Sequence, residues 1–244
     1  MDWAISRKGN MDSKAYVYGV ILGDGFFGYR GKKDDSQLPD YLMLKACDFD
    51  FVEKFRCEVE RLTSKKYSIY KVSKGNKKRN ALYLCKCYAQ EIAKEAFEIT
   101  RGKEVIPDFI VNGSRETQIS FLQGLMDSEG YITCSFNSIK QSHIGLHFAC
   151  TSSWTKSIWH MFQDLGVGVS KLYTRRFKDG RRPVLYFKIN IEQYIKCGLG
   201  FNIQRKQRRL DFISKILRDY THTYKKSYHD CVQDIVRPLA KACG

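Results

Sequence analysis

The chain has 244 residues, of which 43% are apolar and 28% charged, enough to bury a core and unlike a disordered tail. Lysine and arginine number 42 against 26 acidic residues, and a net charge of +16 favours a polyanionic partner, usually nucleic acid, over the membrane lipids of a basic lipid-binding protein. No apolar run reaches the roughly 18 residues of a membrane span, residues 1–15 lack an apolar signal core, and nine cysteines then indicate reduced thiols inside a cell.

The first predicted elements follow the order helix, strand, strand, helix, strand, strand, helix. A helix at 13–23 ends just before Asp24 and Gly25, and glycine after a helix is a common stop signal. Apolar periodicity then predicts two strands at 26–29 and 41–46, a helix at 49–63, and a strand, basic turn and strand between 67 and 87. Such hairpins with helices on one face are typical of an α+β half-domain.

The same order recurs in the second half of the chain. The segments Val17–Gly25 (VYGVILGDG) and Leu122–Gly130 (LQGLMDSEG) share one pattern, in which an acid precedes the last glycine. The second series of elements lies at 118–128, 131–133, 143–149, 154–165 and 169–190. A repeat that keeps its register over such a length predicts two pseudo-symmetric half-domains in one chain.

The repeat also sets the predicted domain boundaries. We expect an antiparallel sheet with helices on one face in each half, related by a pseudo-twofold axis. The predicted parts are an N-terminal extension (1–12), a first half-domain (13–102), a linker (103–118), a second half-domain (119–220) and a C-terminal tail (221–244).

Small residues four apart mark one face of each motif helix. Gly19 and Gly23 in the first helix match Gly124 and Ser128 in the second, so the two backbones can approach closely. Two helix ends that meet would bring together the two acids and several free carbonyl groups, which are the oxygen ligands that a hard divalent cation prefers. The predicted metal ligands are Asp24, Glu129, Gly23 and Ser128. Either acid alone would read as an ordinary turn residue, and only their matched positions favour the metal site.

These nonapeptides resemble the LAGLIDADG motif of homing endonucleases, in its single-chain form with two motifs. The second copy is the closer match, because Leu22 replaces the sixth-position acid in the first copy. The resemblance covers residues 13–220 and implies two curved sheets that form a saddle over DNA. It also implies that Asp24 and Glu129 bind the metal, whereas Asp127 makes a polar contact at the helix end.

The resemblance further implies one basic residue near each scissile phosphate. Lys206 follows Glu129 by 77 residues and Lys103 follows Asp24 by 79, so the internal symmetry selects the same pair. The catalytic residues implied are therefore Asp24, Glu129, Lys206 and Lys103. Asp48 and Ser152, which follow the second strand of each half, are possible polar contacts to active-site water, and Asp48 alternatively caps the helix at 49–63.

Basic clusters occupy equivalent hairpins in the two halves, where a two-stranded ribbon fits the major groove. The hairpin residues expected to bind DNA are Lys71, Lys74, Lys77, Lys78 and Arg79 in the first half and Arg175, Arg176, Lys178, Arg181 and Arg182 in the second. The loops at 30–40 and 135–142 add Arg30, Lys32, Lys33, Gln37, Asn137, Lys140 and Gln141 for the outer base pairs.

The resulting hypothesis is a monomeric, intron-encoded, site-specific endonuclease. The resemblance implies a staggered double-strand break in a long DNA target by hydrolysis that needs Mg²⁺, with Mn²⁺ as an alternative and Ca²⁺ supporting binding without cleavage. Two alternatives remain open: an RNA maturase that binds intron RNA and assists splicing, and a DNA-binding regulator that does not cleave.

Overall fold

The computed structural model describes residues 2–31, 37–75, 80–136, 142–177 and 179–222. The first half contains α1 (Asp2–Leu22), β1 (Phe26–Gly28), β2 (Tyr41–Ala46), α2 (Phe49–Thr63), β3 (Ile69–Ser73), β4 (Leu82–Cys87) and α3 (Gln90–Ile99). A short helix, α4 (Asp108–Val111), precedes the second half. That half contains α5 (Arg115–Glu129), β5 (Gly130–Phe136), β6 (Ser142–Cys150), α6 (Thr155–Asp164), β7 (Tyr173–Arg175), β8 (Val184–Ile189), α7 (Ile191–Lys196) and α8 (Gln204–His222).

Each half forms one antiparallel sheet of four strands. The strand orders are β1-β2-β4-β3 and β5-β6-β8-β7, so the second strand of each half pairs with the fourth. The two sheets therefore have the same topology, which confirms the predicted α+β architecture of two similar halves.

One face of each sheet is buried beneath helices. Strand residues alternate between the two faces, so every second residue of β2, β4, β6 and β8 enters the core. The buried residues are Leu42, Leu44, Cys85 and Cys87 in the first sheet and Leu146, Phe148, Phe187 and Ile189 in the second. Apolar residues of α2 and α6 cover them, and the opposite faces remain open.

The motif helices, α1 and α5, pack directly against each other and join the halves. A methyl group added at Gly19 would overlap the carbonyl oxygen of Phe121, and one added at Gly124 would overlap the carbonyl oxygen of Tyr16. The small residues thus allow the backbone contact expected from the sequence. Ser114 is the N-cap of α5, and its side chain accepts a hydrogen bond from the Thr117 amide.

Three boundaries differ from the sequence-based division. α1 begins at Asp2, so residues 2–12 continue the first motif helix instead of forming a separate extension. The predicted linker contains α4 and the first turn of α5. α8 runs to His222 across the predicted start of the tail, of which residues 223–244 lie outside the described ranges. Of the described helices, none combines the length and the apolar character that crossing a membrane requires.

Candidate active site and nucleic-acid interface

The two motif acids lie where the ends of α1 and α5 meet. Gly23 packs against Ser128, and a methyl group at Gly23 would also lie 3.5 Å from the Cγ atom of Glu129. Glu129 is half-buried, whereas Asp24 keeps an exposed side. The pseudo-twofold arrangement therefore places one carboxylate from each half at a shared centre.

The pKa values of both acids are raised above their usual range. Burial and then the nearby Asp24 carboxylate raise the pKa of Glu129 to about 7, against the opposing effect of Lys103 and Lys206. Desolvation also raises the pKa of Asp24, against the same two lysines. Two carboxylates that resist ionising together gain from a bound cation, which is the electrostatic signature expected of a metal site.

The two predicted lysines lie next to these acids, one beneath each helix end. The Nζ atom of Lys103 donates to the carbonyl oxygens of Gly23 at 2.7 Å and Gly25 at 3.1 Å. The Nζ atom of Lys206 donates to the carbonyl oxygens of Met126, Asp127 and Gly130 at 3.3, 2.6 and 2.7 Å. A cation at the negative end of a helix is favourable, so each lysine is held by the motif helix of its own half.

Burial changes the proton affinity of both lysines. Desolvation lowers the pKa of Lys206 to about 8, against the opposing effect of Asp127, and Lys206 is only 8% exposed. Desolvation also lowers the pKa of Lys103, while Glu129 and Asp24 raise it. The two lysines at matched positions in the repeat therefore lie at the same place in the structure, beside the carboxylates at the ends of α1 and α5.

Asp127 has the structural role expected of it. This buried residue accepts hydrogen bonds from the hydroxyl of Tyr16 at 2.9 Å and from the amide and side chain of Asn202 at 2.9 and 2.8 Å. It thereby ties the segment before Lys206 to the end of α5. The first half has Leu22 at the equivalent position, which makes no such bonds because it is apolar.

The donor set around the carboxylates suits a hard divalent cation. Asp24 and Glu129 offer carboxylate oxygens, and no third His, Cys, Asp or Glu joins them among the described residues. A Mg²⁺-like ion commonly keeps waters and binds substrate phosphates, so two carboxylates are sufficient protein ligands. The Gly23 carbonyl already accepts from Lys103, and the Ser128 hydroxyl donates to Gly124 at 3.2 Å. Ligation of metal by Gly23 and Ser128 therefore stays a prediction.

The two polar residues after the second strands make different contacts. Asp48 accepts two hydrogen bonds from the Arg205 guanidinium, at 2.5 and 2.8 Å, and makes no side-chain cap bond to α2. The Ser152 hydroxyl lies 3.5 Å from the sulfur of Cys150, which is close to Glu129. Contact of either residue with active-site water remains a prediction.

The described residues predicted to bind DNA are exposed on the loops and hairpins, except for Gln37, which is half-buried. Lys71 and Lys74 belong to the β3–β4 hairpin, and Arg175, Arg176, Arg181 and Arg182 belong to the β7–β8 hairpin. Arg175 and Arg181 stack on the ring of Phe177 at 5.2 and 4.3 Å, Arg181 also pairs with Asp179, and Arg30 stacks on Tyr88 at 5.1 Å. The Gln37 side chain donates to the carbonyl of Arg30 at 3.3 Å. Lys32, Lys33, Lys77, Lys78, Arg79, Asn137, Lys140, Gln141 and Lys178 lie outside the described residues.

The sequence interpretation missed the open faces of the sheets themselves. In the first sheet, Met43 pairs with Phe26 on one side and Lys86 on the other. These residues form a row on the face opposite the core. Side chains alternate along β4, so Lys86 points to the face opposite the buried Cys85 and Cys87. This alternation in the sequence could have identified Lys86 as a residue of the open face.

An equivalent row crosses the second sheet. His147 pairs with Tyr131 and with Lys188, and the His147 and Tyr131 rings stack at 4.9 Å. An aromatic ring and a lysine at matched places on both open faces supply stacking surface and positive charge, the features of a nucleic-acid interface.

Two antiparallel sheets, joined by closely packed helices whose ends carry paired acids, define the fold of the single-chain LAGLIDADG homing endonucleases. The resemblance drawn from the two motifs is thus confirmed for the fold. No protein-family model matches the sequence, and neither does any curated protein.

Solved structures of three such proteins share the fold at low sequence identity. I-DmoI in complex with DNA and Mn is 18% identical, with 77% of this chain and 94% of that chain covered and a TM-score of 0.52. I-SmaMI bound to an uncleaved DNA target with calcium ions is 14% identical, with 92% and 96% covered and a TM-score of 0.54. I-WcaI bound to its DNA recognition sequence is 12% identical, with 81% and 86% covered and a TM-score of 0.52.

Proposed function

We propose that this protein is a divalent-metal-dependent, site-specific endonuclease of double-stranded DNA. The paired acids at the junction of α1 and α5 carry the proposal, because Asp24 and Glu129 stand at one centre with a lysine beside each. The net charge of +16 and the exposed basic hairpins fit a duplex across the two open sheets. I-DmoI is in complex with DNA and Mn, and I-SmaMI is bound to a DNA target in the presence of calcium ions, which supports the same kind of partner here.

In this proposal the two acids bind the ion, and the two lysines stabilise negative charge. Asp24 and Glu129 would hold the ion, which when bound supplies an activated water and neutralises phosphate charge. Lys103 and Lys206 are positioned to stabilise the negative charge that develops on each scissile phosphate. Asp127, through Asn202, fixes the segment that presents Lys206.

Finer properties belong to the same proposal. We infer a monomer, because one chain contains both halves, and a staggered break, because two sites act on opposite strands. The preferred ion is Mg²⁺, with Mn²⁺ as a substitute and Ca²⁺ supporting binding alone. Six cysteines (Cys47, Cys57, Cys85, Cys87, Cys150 and Cys197) are free thiols, which fits a reducing compartment, and we expect the protein to be encoded within an intron.

The decisive test selects a target from random duplex DNA in Ca²⁺ and then replaces Ca²⁺ with Mg²⁺. We expect cleavage of the selected duplex at one central position on each strand. Asp24→Asn should bind the same duplex and lose cleavage, whereas Asp211→Asn, an exposed acid on α8, should cleave normally. Specific binding without cleavage by the unmodified protein would instead favour a regulator. Tight binding of intron RNA without duplex preference would favour a maturase.

A further inference from the structure

Each half of the molecule contacts the backbone that carries the lysine of the other half. In the second half, the indole Nε1 of Trp154 donates to the carbonyl oxygen of Lys103 at 3.1 Å. In the first half, the carboxylate of Asp50 accepts from the backbone amide of Gln204, two residues before Lys206, at 2.5 Å. Both contacts cross the interface between the halves.

The two contacts come from equivalent positions. Met43 and His147 occupy the same place in their sheets, between the first and fourth strands, and are 104 residues apart. Asp50 and Trp154 are also 104 residues apart, and both lie at the start of the helix that follows the second strand. Equivalent positions of the repeat therefore both contact the backbone near the lysine of the opposite half. The contact is made by a carboxylate acceptor in the first half and by an indole donor in the second.

The backbone at Lys103 has an unusual conformation next to the Trp154 contact. Arg101, Gly102 and Lys103 all have positive φ angles, of 48°, 65° and 85°, a conformation that L side chains disfavour. Trp154 is 4% exposed and supplies a fixed donor to the last of these residues. A turn of this kind persists when surrounding structure determines it, and the indole hydrogen bond is part of that structure.

The second lysine receives its contact at a helix start. Gln204 begins α8, and its amide is one of the donors that have no partner within the helix. Asp50 satisfies that donor and places a negative charge at the positive end of α8, while Asp48 pairs with the Arg205 side chain beside it. The first half thus fixes the first turn of the helix that carries Lys206.

We infer that Trp154 and Asp50 are positioning residues that make each lysine, and hence the cut on each strand, dependent on the opposite half. This inference rests on the proposed endonuclease function. Displacing a charge-stabilising group by about 1 Å can reduce a rate about a hundredfold. Trp154 acts on the strand served by Lys103, and Asp50 acts on the strand served by Lys206.

The test measures the two strands separately. The duplex recovered in the Ca²⁺ selection is labelled on one strand or the other, and single-turnover cleavage in Mg²⁺ is followed at saturating protein. We expect Trp154→Phe to slow one strand at least tenfold, Asp50→Ala to slow the other at least tenfold, and each to leave a nicked intermediate. Duplex affinity in Ca²⁺ should stay within about threefold for both variants.

Matched controls separate positioning from general damage. Trp159→Phe removes an indole that donates to Ser170 within the same half, at 2.7 Å, and should change neither strand. Asp50→Asn keeps an acceptor oxygen and should restore much of the rate lost in Asp50→Ala. If Trp154→Phe and Asp50→Ala slow cleavage of both strands equally, or slow neither, this inference is overturned and the endonuclease function still stands. Failure of the unmodified protein to cut either strand would overturn the endonuclease function, and the inference with it.

Discussion

Replacing Glu129 with glutamine should stabilise the metal-free protein at alkaline pH. The pKa of Glu129 rises from 4.5 to about 7 because the carboxylate is buried and close to Asp24. Each unit corresponds to about 1.4 kcal/mol, so ionising Glu129 in the folded protein costs up to about 3 kcal/mol. Glutamine has a similar shape and no charge, and it removes this cost.

The sign of the pH dependence follows from the protons bound. Between pH 4.5 and about 7, Glu129 is protonated in the folded chain and ionised in the unfolded chain, so stability falls as the pH rises through this window. Below it both states hold the proton, and glutamine then resembles the protonated acid. Glu129→Gln should therefore gain about 2–3 kcal/mol over the unmodified protein at about pH 8.5, and little at about pH 4.

Urea unfolding in EDTA, followed by circular dichroism at both pH values, measures this difference. Glu91→Gln, at an exposed position on α3, is the matched control and should stay within about 0.5 kcal/mol. Added Ca²⁺ should stabilise the unmodified protein more than Glu129→Gln, because binding to the folded state shifts the equilibrium. The electrostatic reasoning is refuted when Glu129→Gln is no more stable than the unmodified protein at about pH 8.5.

Four further outcomes follow from the same contacts. Gly124→Ala should destabilise the protein by about 2 kcal/mol or more in thermal unfolding, because the added methyl overlaps the α1 backbone. Asp127→Leu should lower the free energy of unfolding by about 2–4 kcal/mol in urea, because Tyr16 and Asn202 lose their buried acceptor. Lys206→Met should slow single-turnover cleavage about a hundredfold while duplex affinity in Ca²⁺ changes little. Replacing Arg175 and Arg176 with glutamine should reduce the salt dependence of duplex binding, by up to about one unit of log–log slope for each lost phosphate contact.

Local periodicity predicted the elements that depend on their own residues. The helix expected at 49–63 is α2, and the strand expected at 41–46 is β2, with the same bounds. Both have unbroken apolar patterns that match one period, and each is covered by neighbours on a single face. The shorter β7 departs from this rule: its residues are exposed, so no buried face defines its length.

The candidate site was predictable because the chain repeats. One acid before a glycine carries little information, whereas Asp24 and Glu129 at matched positions define a shared centre. The family resemblance implied a basic residue near each acid, and the repeat selected the same pair, Lys103 and Lys206, which the structure places beneath the two helix ends. Symmetry thus supplied long-range information that local patterns do not contain.

Contacts across the interface could not be predicted in this way. Asp48 was expected to cap α2 or to contact active-site water; the cap bond is not formed, and the carboxylate accepts hydrogen bonds from Arg205 of the other half, a contact that no local pattern indicates. No sequence pattern marks Trp154, because the bond from its indole depends on how the two halves pack. Neither partner shares a periodic pattern with the other, so the sequence has no signal that links them.

The two sites differ in how firmly each lysine is held. Lys206 lies in the first turn of the long helix α8, and the segment before it is anchored twice, by Asp127 through Asn202 within its own half and by Asp50 through Gln204 from the other. Lys103 lies in a turn of positive φ angles, where its amide donates to the Thr100 hydroxyl at 3.3 Å, and Leu22 stands where the second half has Asp127, so the carboxylate anchor of the second half has no counterpart here. Its carbonyl depends on Trp154 instead. An isolated first half would lack the Trp154 contact as well as Glu129, so under the proposed function both halves are needed to complete either site.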